Sequence, residues 1–385
     1  MEPVFVSAEQ PTAAAETAVK LERTRELLEE RHAAAAVLTG AAAVAWLTAG
    51  ITNPIERGSP ASPLWVVVTS ETATALTTNV EHARLVEPLG RVGLPLEEAP
   101  WYEPDAMTAV AEELAGSSPE RWLCDDERLA GGADDLTALR LALLASEQDR
   151  LAVVGRDAAA ALETALRSWE PGERDFDIQA RAIEQLERDG ILGVCLFVGG
   201  DVRVERFRHP LPIGERVERL AMAVVVGERG GLHAATTRFA SAGRLDGAVA
   251  AAQLAAAAIE ADVLDASRTG ATYGDVLDSL DRAYAAHGHA GAWRDHYQGG
   301  PIAYRQREFE IVPGQTGSRW YSTRLEEGHA VAWNPSVAGG GKSEDTFLVT
   351  PTGLRQVTET GAWPTVEVGG RLRTAVLDVE TGSAA

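Results

Sequence analysis

Apolar and polar residues alternate along the first part of the chain in blocks that predict helices interleaved with strands. Residues 15–35 have helical spacing and many charged pairs four positions apart. The apolar segments 44–50 and 64–70 predict two buried strands, joined by a loop rich in Pro, Gly and Ser. A short helix, a strand and a long helical stretch at 134–169 follow. This alternation predicts an α/β first half.

The second part of the chain predicts an α+β arrangement, with strands on both sides of a helical block. An alanine-rich helix is predicted at about 243–264 and another helix at 273–287. Strands and turns complete the chain, including a strand at 301–312. We place a domain boundary near residue 145, before the long helix continues.

The charge of the chain is strongly negative. Its 385 residues include 35 Lys and Arg against 57 Asp and Glu, which gives a formal net charge of −22. This balance argues against a nucleic-acid partner, because a phosphate backbone needs a positive surface, and against binding to anionic membranes. It does not exclude a small anionic substrate that a few arginines bind locally.

Cysteine usage and the apolar runs predict a soluble, cytoplasmic protein. Cys124 and Cys195 are too few for a disulfide framework or a structural zinc site. The N-terminal segment lacks the basic-then-apolar order of a signal peptide. The uncharged run 33–51 is rich in alanine and is interrupted by Gly40 and Gly50. We therefore interpret it as a helix end, a buried strand and a turn, and not as a membrane span.

Six segments of the second half form a recognisable series. They are WEPGERDFDIQARAIEQLERDG (169–190), RHPLP (208–212), GGLHAATTRF (230–239), HYQGGPIAYRQREF (296–309), LEEGHAVAWNP (325–335) and KSEDTFLVTPTG (342–353). In order and spacing they resemble the creatinase/aminopeptidase P/methionine aminopeptidase superfamily, whose fold is called pita-bread. The resemblance implies an α+β protein with a C-terminal pita-bread domain (146–385) and a smaller α/β creatinase-type N-terminal domain (1–145). It also implies a homodimer.

The resemblance further implies that a metal cluster has been lost. Active peptidases of the superfamily hold two metal ions with five side chains, and only Glu344 matches one of these ligands. The other four matching positions carry Val224, Ala235, Gly300 and Asn334. A second catalytic histidine of the family falls on Arg307. One carboxylate and one amide cannot hold two divalent metals, so we expect no metal, no other cofactor and no metal-dependent peptidase reaction.

Three residues are candidates for catalysis. His209 matches the histidine that creatinase, a metal-free member that cleaves a C–N bond, uses for proton transfer; imidazole both accepts and donates a proton near neutral pH. The alternative is a histidine that hydrogen-bonds its own loop. Glu344 would orient a substrate cation or an imidazolium, unless it is a residual ion pair with Lys342 or Arg238. His296 matches a substrate-facing position of aminopeptidase P-like enzymes, and its alternative is a surface or structural role.

Several polar residues are candidates for substrate binding. If 301–312 is a strand, Arg305 and Arg307 share one face, and two guanidiniums directed into the cavity would clamp a carboxylate. The alternative is a strand whose arginines pair with the many acidic residues. Asn334 would hydrogen-bond a substrate where the family has a metal ligand. The other predicted substrate-binding residues are Arg57 (from an N-terminal-domain loop), Arg208, His233, Arg238, Tyr304, Glu308 and Trp333.

These candidates leave three functions open. The first is a metal-independent enzyme of specialised metabolism that acts on a small amino-acid-derived substrate. Its reaction would be C–N bond hydrolysis, elimination or cyclisation, with His209 as general acid/base. Thr237 stands where creatinase has a further acidic residue, which argues against creatine itself. The second is an inactive pseudo-peptidase that binds a peptide or protein, for which the acidic charge suits a basic partner. The third is a single-metal hydrolase whose ligands are His209, His233, His296 and Glu344.

Overall fold

The computed structural model describes residues 12–52, 55–57 and 59–385. The chain divides into two compact units, Met1–Glu147 and Gln148–Ala385. The division falls in the first turn of a helix that covers Ala145–Arg167, next to the boundary expected near residue 145. Helices and strands are mixed in both units, which confirms the α+β class.

The first unit is built on a five-stranded sheet with helices packed against it. Its strands are β1 (Ala35–Gly40), β2 (Ala61–Thr69), β3 (Ala73–Thr78), β4 (Leu96–Ala99) and β5 (Trp122–Cys124). Their order in the sheet is β4-β3-β2-β1-β5, with parallel pairs at both edges and antiparallel pairs in the centre. Its helices are α1 (Ala13–Arg31), α2 (Ala41–Leu47), α3 (His82–Val92), α4 (Ala106–Ala115) and α5 (Ala133–Leu139), with a 3-10 helix at Pro119–Arg121.

Segment 44–50, predicted as a strand, is mostly helical. Every residue of α2 from Ala42 to Leu47 is buried. A short apolar run has no periodicity that separates a buried helix from a buried strand, and alanine is the strongest helix former, so this alanine-rich run becomes a helix. The stretch 134–169 is also divided, because α5 ends at Leu139 and the next helix begins only at Ala145.

The second unit contains more elements than the first. Its helices are α6 (Ala145–Arg167, which begins just before the division), α7 (Asp175–Arg188), α8 (Asp201–Arg206), α9 (Gly247–Ala266), α10 (Tyr273–Ala286) and α11 (Arg319–Ser322), with a 3-10 helix at Ala292–Asp295. Its longer strands are β7 (Leu192–Gly200), β9 (Leu220–Arg229), β10 (Leu232–Ser241), β12 (Ala330–Trp333), β15 (Asp345–Thr350), β16 (Gly353–Gln356), β17 (Thr365–Val368) and β18 (Arg371–Thr374). Its short strands are β6 (Glu173–Arg174), β8 (Arg216–Val217), β11 (Gly299–Pro301), β13 (Ser336–Val337), β14 (Gly341–Lys342), β19 (Leu377–Asp378) and β20 (Ser383–Ala384).

Two sheets of the second unit carry the candidate site. One has the order β20-β19-β10-β9-β7 and the other β11-β12-β15-β16. The backbone N–H of Thr237 in β10 donates to the carbonyl of Glu344 at 3.0 Å, and the N–H of Ala235 donates to Thr346 Oγ1 at 2.8 Å. These bonds hold the middle of β10 against the start of β15.

Alternation along β9 separates a core face from a pocket face. Ala223 and Val225 pack into a cluster with the apolar sides of α6 and α7. Met222 and Val224 point the other way and join a second apolar cluster. The register of β9 therefore determines which of its residues can reach a ligand.

The prediction of a strand at 301–312 is wrong. β11 ends at Pro301, and the residues after it form turns. Glu308 stabilises these turns, because its Oε1 accepts hydrogen bonds from the backbone N–H groups of Tyr304 at 2.7 Å and Arg305 at 3.1 Å. A side-chain acceptor that satisfies local N–H groups competes with sheet pairing. Arg305 and Arg307 consequently share no strand face.

Among the described helices, α9 alone is long and apolar enough by composition to cross a membrane. More than half of its apolar window, 56%, is buried inside the protein, and it packs against α10 and the β13–β14 hairpin. Core helices of globular proteins meet the same criterion.

Candidate active site

A pocket of about 290 Å³ opens in the second unit, between the β9–β10 hairpin and the β12–β15 pair. Its polar lining residues are His209, Arg307, Glu310, Asn334, Lys342 and Glu344. Its apolar lining residues are Cys195, Phe197, Val224, Val226, Ala235 and Ala332. Tyr297 and Gln306 complete the wall.

Glu344 is a buried, hydrogen-bonded carboxylate of this pocket. Its Oε2 accepts a hydrogen bond from the hydroxyl of Thr237 at 2.6 Å, and its Oε1 accepts one from Asn334 Nδ2 at 3.3 Å. The Nζ of Lys342 lies 3.9 Å from Oε2. The Glu344 side chain is only 7% exposed, so these partners compensate for burial of a carboxylate.

His209 and His296 form an imidazole pair beside the pocket. Their Nε2 atoms lie 3.2 Å apart, and the edge of His209 packs on Phe197 with ring centroids 5.5 Å apart. Two facing ring nitrogens need one N–H and one lone pair, so the pair carries a single proton at this contact. His296 Nδ1 is buried and has no hydrogen-bond partner among the described residues.

Burial and nearby cations hold both rings neutral. Burial lowers the pKa of His209, Lys342 lowers it further, and Glu344 partly opposes the change. Burial lowers the pKa of His296 to about 2, and the charges of Lys342 and Arg208 contribute to this shift. An uncharged imidazole is the form that accepts a proton, so the pair is set to act as a base at neutral pH.

The predicted clamp of two arginines is not formed. Arg307 lines the pocket, but it makes an ion pair with Glu310, with its Nη1 2.9 Å from Oε2. Arg305 is exposed and does not line the pocket. The turns that replace the predicted strand direct the two guanidiniums to different surroundings.

Four other predicted substrate-binding residues are buried parts of the scaffold. Arg238 donates to Glu163 and Asp345 and is 1% exposed, because alternation in β10 directs Thr237 towards Glu344 and Arg238 to the opposite face. Trp333 is fully buried, and its indole N–H donates to Ser267 Oγ at 2.9 Å. Tyr304 and Glu308 are also buried and belong to the turns after β11.

The remaining predicted residues lie outside the pocket lining. His233 Nδ1 contacts the carbonyl of Gly231 at 2.8 Å, so this ring is held at the turn of the hairpin. Arg208 is half-buried next to His209 and acts on His296 through its charge. Arg57 is exposed in the first unit, in the loop before β2.

Sequence reasoning missed part of the wall. In β7, Cys195 and Phe197 face the pocket and are two residues apart. In β9, Val226 faces it too, two residues after Val224. Period-two alternation, extended from Val224, would have found Val226. The sequence predicts Lys342 only as an ion-pair partner of Glu344, although it lines the pocket itself.

Three solved structures with the same architecture are peptidases by name. The dipeptidase PepE from Mycobacterium ulcerans superposes with a TM-score of 0.74 and 20% identity, covering 90% of this chain and 96% of that one. The prolidase from Pyrococcus horikoshii OT3 gives 0.69 and 15%, covering 89% and 98%. The X-Pro aminopeptidase from Thermotoga maritima MSB8 gives 0.68 and 14%, covering 88% and 97%.

This chain has the pita-bread fold. No protein-family model and no curated protein matches it. The structural likeness covers nearly all of the chain at low sequence identity, so it confirms at the level of the fold the resemblance seen in the six segments.

The residues of this pita-bread pocket do not fit the superfamily's metal cluster. Val224 and Ala235 line the pocket where the resemblance places two ligands, and neither offers a donor atom. The ammonium of Lys342 lies close to Glu344, the one matching ligand, and a fixed positive charge there repels a divalent cation. Within the described part of the chain, no three His, Cys, Asp or Glu side chains gather as a metal site. The four-ligand arrangement with His233 is therefore not formed.

Proposed function

We propose that this protein is a metal-independent hydrolase of the pita-bread fold that cleaves a C–N bond in a small amino-acid-derived compound. The observation that carries the proposal is the neutral His209–His296 pair at a pocket lined by Glu344 and Lys342. The names of the structural neighbours, dipeptidase and prolidase among them, favour hydrolysis over elimination or cyclisation.

The proposed reaction needs one group that acts first as a general base and then as a general acid. His209 accepts a proton from water as the water oxygen attacks the carbon of the C–N bond, and it then gives that proton to the departing nitrogen. His296 contacts His209 through Nε2 and stabilises the imidazolium by sharing its proton. Thr237 and Asn334 hold Glu344 in place, so its charge faces the reacting centre in one orientation.

The test uses chelator-treated protein and small N-acyl amino acids, dipeptides and guanidino acids, with products followed by mass spectrometry. We expect hydrolysis that persists in EDTA and falls by about 10²–10⁴-fold in His209→Gln. His289→Gln, which replaces a histidine outside the pocket lining, is the matched control. The rate should rise with pH to a plateau, with a midpoint below 6.5, because the pKa of His209 is lowered and the base must be neutral.

Two results would contradict the proposal. Activity that disappears in EDTA and returns only with an added divalent metal would refute metal independence. Equal activity of the wild type and His209→Gln would refute the role of His209.

A further inference from the structure

The chain uses lysine at only two positions. Its 35 cationic residues are arginines except for Lys20 and Lys342. Both lysines are buried, with side chains 0% and 5% exposed. A lysine is rarely buried without partners for its charge, so each of the two needs an explanation.

Lys20 is explained by its protein contacts. Its ammonium lies 2.6 Å from Glu16 Oε1, 2.8 Å from Glu147 Oε1 and 2.6 Å from the carbonyl of Trp46. Three acceptors match the three N–H donors of an ammonium. Lys20 is therefore a structural residue of the first unit.

Lys342 has no such set of partners. Among the described residues its only ionic contact is Glu344 Oε2 at 3.9 Å, which is beyond hydrogen-bond distance. The ammonium lines the pocket, so its N–H donors are available to whatever the pocket binds. Glu344 lies within ion-pair distance of the lysine but accepts no hydrogen bond from it.

Asn334 offers the complementary atom. Its Nδ2 donates to Glu344 Oε1, and this bond orients the amide so that its oxygen, Oδ1, points away from Glu344. The remaining Oδ1 is buried and has no hydrogen-bond partner among the described residues. Within the described part of the chain, the same pocket thus holds a buried acceptor without a partner and a buried ammonium that makes no hydrogen bond. A ligand with both an N–H group and an anionic group would complement the two.

We infer that the pocket binds a carboxylate through Lys342 and an N–H group of the same molecule through Asn334. This assigns the substrate class of the proposed hydrolase as small N-substituted amino acids, and it rests on the proposal that this pocket is the working site. A chain of charge −22 repels anions at long range, so a carboxylate ligand needs a local cation inside the pocket. Arg307 is a weaker candidate for that role, because its Nη1 already donates hydrogen bonds to Glu310 at 2.9 and 3.0 Å.

The two lysines allow a direct binding test in the full chain. Protein labelled with ¹³C and ¹⁵N only in lysine gives one side-chain set for Lys342 and one for Lys20, which serves as an internal control. N-acetylglycine is the probe, and N-acetylglycinamide, which lacks the carboxylate, is its neutral match. We expect the acid to shift the Lys342 signals saturably and leave those of Lys20 unchanged, and we expect the amide to shift neither.

Variants separate binding from folding. Lys342→Met should weaken N-acetylglycine binding by about tenfold or more. Its circular dichroism and thermal unfolding, compared with those of the wild type, report whether the whole chain is still folded. Asn334→Leu should weaken it less, because a hydrogen bond and not an ion pair is lost. Arg305→Met, which removes an exposed cation outside the pocket lining, is the matched control and should bind normally.

The outcomes distinguish the inference from the proposed function. Absence of a saturable Lys342 shift at millimolar N-acetylglycine, or equal binding by Lys342→Met and Arg305→Met, would overturn the inference. Binding is measured without turnover, so a saturable Lys342 shift in a protein that hydrolyses none of the tested compounds would support the carboxylate site and count against the hydrolase.

Discussion

Replacing His296 with glutamine should make the protein less sensitive to acid. Burial, aided by Lys342 and Arg208, lowers the pKa of His296 to about 2, against 6.5 for the free side chain. Below pH 6.5 the unfolded chain therefore binds a proton that the folded chain excludes. Stability contributed by the neutral ring is complete above pH 6.5 and is lost as the pH falls towards 2.

The size of this stability loss follows from the difference between the pKa of His296 in the folded and in the unfolded chain. At pH 4.5 the unfolded imidazole is two pH units below its pKa, while the folded one is still neutral. At about 1.4 kcal/mol per unit, the wild type loses about 3 kcal/mol of unfolding free energy from this residue between pH 7.5 and 4.5. His296→Gln has no such proton to exclude, and its amide can still contact His209.

The assay compares urea unfolding of the wild type, His296→Gln and the control His289→Gln at the two pH values. We expect His296→Gln to lose about 3 kcal/mol less than the wild type on acidification. NMR of ¹³C,¹⁵N-labelled histidine checks the cause, because the His296 ring should stay neutral at pH 4.5. A native-state titration of His296 near pH 6.5, or identical acid losses in all three proteins, would refute the reasoning.

Two further predictions concern buried polar contacts. Thr237→Val removes the hydroxyl that donates to Glu344 at 2.6 Å and should cost about 1.5–3 kcal/mol of unfolding free energy, whereas Thr237→Ser should restore most of it; equal stability of the two variants would contradict this. Lys20→Met leaves the buried carboxylates of Glu16 and Glu147 without their shared cation and should lower stability by about 3–5 kcal/mol in thermal unfolding. Arg31→Met, which breaks an exposed pair with Asp135, should change little by comparison.

The pattern of apolar residues predicted secondary structure correctly where burial and intrinsic propensity favoured the same element. The run 64–70 is apolar as far as Val68 and contains three consecutive valines, and all of it except Ser70 lies in the central strand β2. The alanine-rich run at 44–50 could be buried equally well as a helix or as a strand, and the high helix propensity of alanine favoured the helix. The turns after β11 depended on Glu308, whose acceptor role towards Tyr304 and Arg305 no periodicity records.

A few residues of the candidate site were predictable from the sequence, but most of its wall and its arrangement were not. The sequence identified His209, His296, Asn334 and Glu344 through motif resemblance. It placed Arg238 in the pocket as well, although a one-residue step along β10 directs Thr237 inward and Arg238 into a buried ion pair. The phase of a strand depends on its register with a partner strand, which a single segment does not contain.

By itself, the sequence determined the negative charge and, through its six motif segments, predicted the fold class, because composition and motif identity are local properties of the chain. Only the tertiary structure decided that His209 and His296, 87 positions apart, face each other at 3.2 Å. It also decided that Lys342 and Asn334 are left with unused hydrogen-bonding atoms in one pocket, while Lys20 is fully satisfied. Whether a buried polar atom is partnered depends on residues that folding brings from distant parts of the chain.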